Sequence, residues 1–308
     1  MSLRYAIATP SYAGDFERCR LLCASIDRFV TGHTTHYLLV EDRETALFAP
    51  LAGPRRQIVA ESALLPAWLG SRPDPLSLGR RRVWTGLGAL ARGVPPLRGW
   101  HAQQLRKFGF ARGCDEDVVV FADSDLIFMR PFDIAETGGA GGVRLYRGSG
   151  GVTAAMTEHV AWCAMAARLF GLSPPALPAD DFIGHLVSWR RDVVLAMCAH
   201  VEARTGRHWV AAIASQRRFS EYLIYGCFVE RVLGLAAAGH RIDEREFCKA
   251  YWGGDTEGLG ALRSAEDVLG PGQVAVGVQS FIGQPMAHLR DLFERQAGRV
   301  QPARPSSL

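Results

Sequence analysis

The stretch DVVVFADSDLIFMRPFD, residues 117–133, decides the fold. Val118 to Ala122 form an unbroken apolar run, the pattern of a strand covered on both faces, as strands of parallel sheets are. Asp123 and Asp125 then flank Ser124 at the carboxyl end of that strand, the edge where ligands of such sheets collect. Two carboxylates brought toward one small volume repel, and a hard divalent cation, Mg²⁺ or Mn²⁺, offsets that repulsion with a shell completed by water and phosphate oxygens. The plainer alternative is that one aspartate closes a turn and the other is solvated.

Working outward, the segments around this stretch repeat a strand–helix alternation. RYAIAT near the N-terminus reads as a strand, PSYAGD as a turn, and Asp15 stands where a helix cap is wanted. Phe16, Cys19, Cys23, Ile26 and Val30 then recur at three- and four-residue steps, which predicts a helix that Gly32 stops. HYLLVED (36–42) is a second strand ending in acid, so the chain opens with a βαβ unit on a parallel sheet. Residues 71–98 are expected as loop around a short helix near 83–90, and a helix over 100–110 leads to the strand at 118–122. The glycine-rich 138–151 is expected as a solvent loop, or as a flap over a site.

Helical spacing recurs at 154–170, 191–204, 208–215 and 219–234, with the strand-like FIGHLVSW (182–189) among them and a last strand at 274–281. The expected architecture is an α/β fold with a mixed, mostly parallel central sheet flanked by helices and a helical C-terminal half. We expect one catalytic domain over 1–296, with a nucleotide-binding part over about 1–135 and an acceptor part over about 136–296, then a loose tail at 297–308.

Composition narrows the partners more than the chemistry. Of 308 residues 48% are hydrophobic and 21% charged, ordinary for a globular enzyme. The net charge of +4 comes from arginines spread along the chain, with short clusters at 80–82, 190–191 and 217–218. A nucleic-acid binder would concentrate such charge on one helix or arm, so no nucleic-acid partner is expected. Seven cysteines without a CxxC pair indicate neither a disulfide framework nor a zinc ribbon. No apolar run reaches a membrane span and no leader precedes the first strand, which favours the cytoplasm.

ATPSYAGDFERCRLL, GWHAQQLRKF, FADSDLIFMRPFD, DFIGHLVSWRRDVVLAM and FSEYLIYG together resemble a bacterial family of unknown function classed with glycosyltransferases of the GT-A fold. The resemblance spans about residues 5–285. More distantly the chain is similar to the glycogenin-like family-8 glycosyltransferases, in which a lysine some sixteen positions before the DxD contacts the donor. Here 123 minus 107 is 16, which puts Lys107 in that place.

The resemblance implies a nucleoside diphosphate sugar as donor and Mn²⁺ or Mg²⁺ held by Asp123 and Asp125, with Ser124 between them. It implies nucleotide contacts from Thr9, Pro10, Ser11, Tyr12 and Asp42, and a sugar contact from Glu221, which with Ser220 replaces a polar pair on a late helix. The acceptor, a glycan or small molecule, is not specified, and no oligomeric state follows. The chain departs from the family-8 pattern where a histidine supplies a third metal ligand, since QSFIG offers Gln279 and Ser280 instead.

Other candidates stand on their residues alone. Gln103 and Lys107 share one helical face with Gln104 beside them, and they suit either ligand contact or an exposed surface. Asp180 and Asp181 either face the sugar or acceptor, with Asp181 or Glu221 as catalytic carboxylate, or close a solvated turn. Trp189 is the tryptophan selected for sugar stacking, Trp100, Trp209 and Trp252 being expected in the core. His33 and His36 are expected at the surface, while His240 and His288 are substitutes for the third metal ligand. Two rival functions remain: a haloacid-dehalogenase-like phosphohydrolase, whose first DxD aspartate is a nucleophile, and a sugar-nucleotide-binding protein without turnover.

Overall fold

The computed structural model of the protein describes residues 3–78, 81–139, 141–251, 269–279 and 282–299. The opening unit is β1 (Tyr5–Pro10), α1 (Phe16–Phe29), a short β2 (Val30–Thr31) and β3 (His33–Val40). α2 (Thr45–Phe48) and β4 (Arg56–Ala60) follow, then an antiparallel pair, β5 (Gly70–Pro73) and β6 (Arg82–Thr85), and α3 (Leu87–Ala91). The expected helix near 83–90 is therefore displaced: Val83–Thr85 pair as strand, and only Leu87–Ala91 turns. α4 (Gly99–Gly113) leads into β7 (Val118–Phe121), β8 (Leu126–Phe128) and β9 (Phe132–Asp133).

The glycine-rich stretch is not a solvent loop. It forms β10 (Val143–Tyr146) and β11 (Gly148–Val152). α5 (Thr157–Leu169), β12 (Ala179–Asp181), β13 (Val187–Arg190), α6 (Arg191–Thr205), α7 (Trp209–Ala214) and α8 (Glu221–Phe228) come next, the last running on as a π-helical turn over Val229–Leu233. β14 (His240–Asp243), β15 (Cys248–Tyr251), β16 (Ala275–Val278) and α9 (Met286–Arg299) complete the described chain. β10 pairs with β14, and β11 with β12. Residues 297–299, expected in a loose tail, belong to α9, and 300–308 lie outside the described residues.

The central sheet has the order β13-β7-β1-β3-β4, parallel except for β13, which runs antiparallel to β7. The fold is thus mixed α/β with a mostly parallel sheet between helices. Alternation along β7 divides its side chains between two cores, as strand geometry requires. Val118 and Val120 pack with Ile7, Leu22 and Ile26 on the α1 side, while Val119 and Phe121 pack with Phe108, Trp189 and Tyr225 on the α4–α8 side.

The chain leaves this sheet at Phe121 and joins a second one, ordered β15-β16-β8. Asp123, Ser124 and Asp125 make the turn between them, closed by the Leu126 amide on the Asp123 carbonyl at 3.1 Å. The Val278 amide donates to the Asp125 carbonyl, also at 3.1 Å, so the end of β16 fixes the far side of that turn. Among the described residues no helix is long and apolar enough to cross a membrane.

Two sequence expectations fail in the core. His33 and His36 are buried, not surface residues; the His36 ring bonds the Thr9 hydroxyl at 2.9 Å and accepts from Arg56 Nε at 3.0 Å. Trp189 is fully buried, stacked between Phe108 and Tyr225 with ring centroids 4.9 Å from each, and offers no face to a sugar. Trp100, expected in the core, is 46% exposed, and Trp252 lies outside the described residues.

Candidate active site at the sheet edge

β7 delivers the acid turn, α4 delivers Lys107, and the N-terminus of α8 delivers Glu221 and Tyr222. Lys107 is buried, with its Nζ 2.9 Å from Glu221 Oε1, 2.6 Å from the Tyr222 hydroxyl and 3.2 Å from Asp123 Oδ1. The ammonium also lies over the Tyr222 ring, 4.4 Å from its centroid. Burial disfavours its charge, but Asp123 foremost, with Tyr222 and Glu221, outweighs that and holds the Lys107 pKa well above the ordinary value.

Gln104, one turn before Lys107, fixes α8. Its side-chain oxygen accepts the Glu221 amide at 3.0 Å, satisfying a helix N-terminal donor that Ser220, in the N-cap position, does not bond through its hydroxyl. Gln103, the residue favoured by spacing, is half-buried and takes no part in this network.

Asp125 makes no ion pair among the described residues. Its Oδ1 is buried without a hydrogen-bond partner, and Asp123 Oδ1, despite facing Lys107, likewise lacks an aligned donor. Burial, then the charge of Asp123, then that of Asp15 push the Asp125 carboxyl up to about 7. Asp15 was absent from the sequence candidates because it stands where a helix cap belongs. It makes no side-chain cap; instead its carboxylate accepts from Ser124 Oγ at 3.4 Å, and burial raises its pKa.

His185 is the other residue missed. It precedes Leu186, a buried non-glycine residue at φ +54°, a conformation that costs leucine about 1–2 kcal/mol. Burial lowers the His185 pKa, and the charges of Asp123 and Lys107 act on it in opposite senses. No sequence pattern marks it; only the strained turn and the return of the chain to β7 bring it beside the acid pair.

The turn thus offers two crowded carboxylates, Asp123 paired with Lys107 and Asp125 with a buried oxygen that no donor reaches among the described residues, which suits a divalent cation. Among the described residues no three His, Cys, Asp or Glu side chains are disposed to hold a metal ion by themselves. A cation held by Asp123 and Asp125 would therefore need its remaining ligands from water and substrate oxygens, as Mg²⁺ commonly takes them. His240 is not a substitute ligand: its ring is buried against the Tyr225 hydroxyl at 2.7 Å and the Val143 carbonyl at 3.0 Å. His288 sits in α9, Gln279 follows β16, and Ser280 lies outside the described residues.

Along the same sheet edge, beyond β3 and β4, is a cavity of about 310 Å³ lined by Glu41, Asp42, Arg43, Ser62, Ser71 and Arg82 among others. Asp42 accepts from the Ser62 amide at 3.1 Å and from its hydroxyl. Of the first strand's candidates, Tyr12 is 51% exposed, whereas Thr9, Pro10 and Ser11 are buried and the Thr9 hydroxyl is committed to His36.

Asp180 lines a separate cavity of about 230 Å³ with Cys163, Phe182, Leu223, Cys227 and Glu230, and Arg147 bridges it (3.6 Å) to Glu230 (2.9 Å). Asp181 accepts from the Ile183 amide at 2.9 Å and lies 3.8 Å from His159, with no hydrogen bond or ion pair to Lys107 or Asp123 among the described residues. The structure therefore brings Asp123, Asp125, Lys107 and Glu221 together and leaves Asp181 outside that network.

No curated protein matches the chain. Among solved structures it is similar to a galactosyltransferase, LgtC, in complex with donor and acceptor sugar analogs, at 12% identity over 97% of each chain and a TM-score of 0.45. The model of a family of unknown function, DUF6492, matches residues 3–267, and the chain belongs to that family.

Proposed function

We propose that the protein is a GT-A-like glycosyltransferase that moves a sugar from a nucleoside diphosphate sugar to an acceptor hydroxyl with the help of Mn²⁺ or Mg²⁺. The observation that carries the reading is the Asp125 carboxylate oxygen, buried without a partner among the described residues beside Asp123, at the carboxyl edge of a mostly parallel sheet. Such oxygens are costly to leave without partners, and a cation with a diphosphate behind it supplies them.

A bound divalent ion would neutralise charge developing on the departing diphosphate. The chain's own residues do the rest. Lys107 holds Asp123 in place and adds a fixed positive charge beside it, preorganised because Glu221 and Tyr222 also grip the ammonium. Glu221, anchored at the start of α8 by Gln104, shares the Lys107 ammonium with Asp123 and is our candidate for steadying positive charge on the sugar or receiving the acceptor proton. Asp181, held away by Ile183 and His159, is the weaker choice. The cavity carrying Asp42 is offered for the nucleoside.

The non-catalytic reading is favoured by one feature, that Glu221 and Lys107 satisfy each other in a buried pair. Turnover separates the two. Purified protein, given a panel of nucleoside diphosphate sugars with Mn²⁺, should release nucleoside diphosphate, and Asp125→Asn should abolish release while unfolding as cooperatively as wild type. Metal-assisted binding without release would favour the binding protein, and unchanged release by Asp125→Asn would remove the acid pair from the site.

A further inference from the structure

We infer that the start of α4 and the adjoining edge of α5 form a platform for an oligosaccharide acceptor, an inference that rests on the glycosyltransferase reading and names the acceptor class it leaves open. Trp100 is 46% exposed and leans on the half-buried Trp162 of α5, with ring centroids 5.5 Å apart and planes 37° apart. The His159 imidazole, also half-buried, continues the surface 4.7 Å from Trp162. A single exposed aromatic residue is ordinary, but an open indole grouped with two further partly exposed rings is a patch made to be covered.

The rim of the patch selects the occupant. Asp181 stands beside the His159 ring, 3.8 Å from Oδ2 to Nε2, and its Oδ1 accepts the Ile183 amide at 2.9 Å, which fixes the carboxylate at that edge. Glu158, the residue before His159, meets Arg218 at 3.5 Å, and both side chains are more than half exposed. A sugar ring matches this composition. The C–H bonds of one face pack on an indole, while hydroxyls around the ring donate to carboxylates and accept from a guanidinium. An acyl chain would use the rings and leave the carboxylates without partners, and a nucleic acid would be repelled by Asp181 and Glu158.

α4 joins the platform to the candidate active site. Trp100, Gln104 and Lys107 follow one another at four- and three-residue steps, so a helical face that is buried at Gln104 and Lys107 reaches the surface at Trp100. Trp100 stands about 10 Å along the helix from Lys107. The next residue, His101, bonds the Arg217 carbonyl through Nε2 at 2.8 Å and packs on Phe219 with centroids 5.5 Å apart, just before Ser220 and Glu221. An indole so placed is too far from Lys107 to touch the transferred sugar. It suits a later ring of an acceptor whose first ring lies beside Glu221, which is why a chain of sugars rather than a small alcohol is assigned.

The full chain is tested on an array of immobilised linear oligosaccharides of glucose, galactose, mannose and N-acetylglucosamine with the matching monosaccharides, in the presence and absence of Mn²⁺ and a nucleoside diphosphate. Wild type should bind at least one oligosaccharide and favour it over its monosaccharide. Titrated with that oligosaccharide, Trp100→Ala should bind roughly tenfold more weakly, Trp100→Phe should recover most of the loss, and Asp181→Ala should weaken binding several-fold. Thermal unfolding of Trp100→Ala and its nucleoside diphosphate affinity with Mn²⁺ should match wild type. Leu47→Ser alters a 42% exposed leucine of α2 and should leave oligosaccharide binding unchanged. Wild type that binds no oligosaccharide, Trp100→Ala that binds as wild type does, or an equal loss in Leu47→Ser would overturn the inference. So would light scattering that shows self-association lost in Trp100→Ala with no oligosaccharide bound, which would make a second copy the occupant. Oligosaccharide binding that depends on Trp100 in a protein that binds no nucleotide would instead sink the donor reading and leave the platform standing.

Discussion

Replacing Lys107 by Met keeps the volume of the side chain and deletes one charge, leaving two carboxylates facing the space it held. Glu221 is the costlier of the two, since its side chain is 7% exposed, against 29% for Asp123, which can turn to water at the cleft. Breaking a buried pair from one side costs about 3–5 kcal/mol, because an uncompensated charge remains. We expect Lys107→Met to lose that much in urea unfolding followed by tryptophan fluorescence, with an unchanged denaturant slope.

A double-mutant cycle separates charge from packing. Glu221→Gln in the same background should restore roughly 1–3 kcal/mol relative to the sum of the single losses. A loss under about 1 kcal/mol together with additive single losses would refute the idea that Lys107 is held by a closed charge network.

Three more expectations follow from the same geometry. Asp125, held at about 7, binds its proton more tightly folded than unfolded, so metal-free stability should fall as pH rises from near 4 through 7, by up to about 4 kcal/mol; Asp125→Asn should remove the fall, and Mn²⁺ affinity should drop about tenfold per pH unit below 7 as proton and metal compete. Urea midpoints and Mn²⁺ titrations across that range check both, and pH-independent values would contradict the crowding of the acid turn. Trp189→Ala should cost about 3–5 kcal/mol in the same unfolding assay without changing nucleotide affinity, whereas native stability with lost affinity would return Trp189 to the ligand. Gly109→Ala, whose added Cβ would come within 2.3 Å of the Leu64 carbonyl, should lower the melting temperature by driving α4 from the 61–65 turn; a wild-type melting temperature would show that the approach can relax.

The legible parts were those where one period dominates. The strands β1, β3 and β7 announced themselves because the apolar runs Tyr5–Pro10, Leu38–Val40 and Val118–Phe121 are buried, and the acids after β7 mark its carboxyl end. α4 hid its working face because Ala102, Gln104, Leu105, Arg106, Lys107 and Phe108 are all buried, leaving no polar side from which to choose Gln104 over Gln103. Asp15 obeyed a local capping rule in sequence and broke it in space, since a partner 109 residues away took its side chain. β11 hid because Gly148, Gly150 and Gly151 carry no side chains to alternate, and its pairing with β12 comes from backbone alone.

The most direct test of the central claim is calorimetry of nucleoside diphosphate binding with and without Mn²⁺, on wild type and Asp125→Asn. The account predicts binding to wild type that tightens at least tenfold when Mn²⁺ is added, and no effect of Mn²⁺ on the variant. Nucleotide binding that ignores Mn²⁺ in wild type, or responds to it equally in Asp125→Asn, would contradict it.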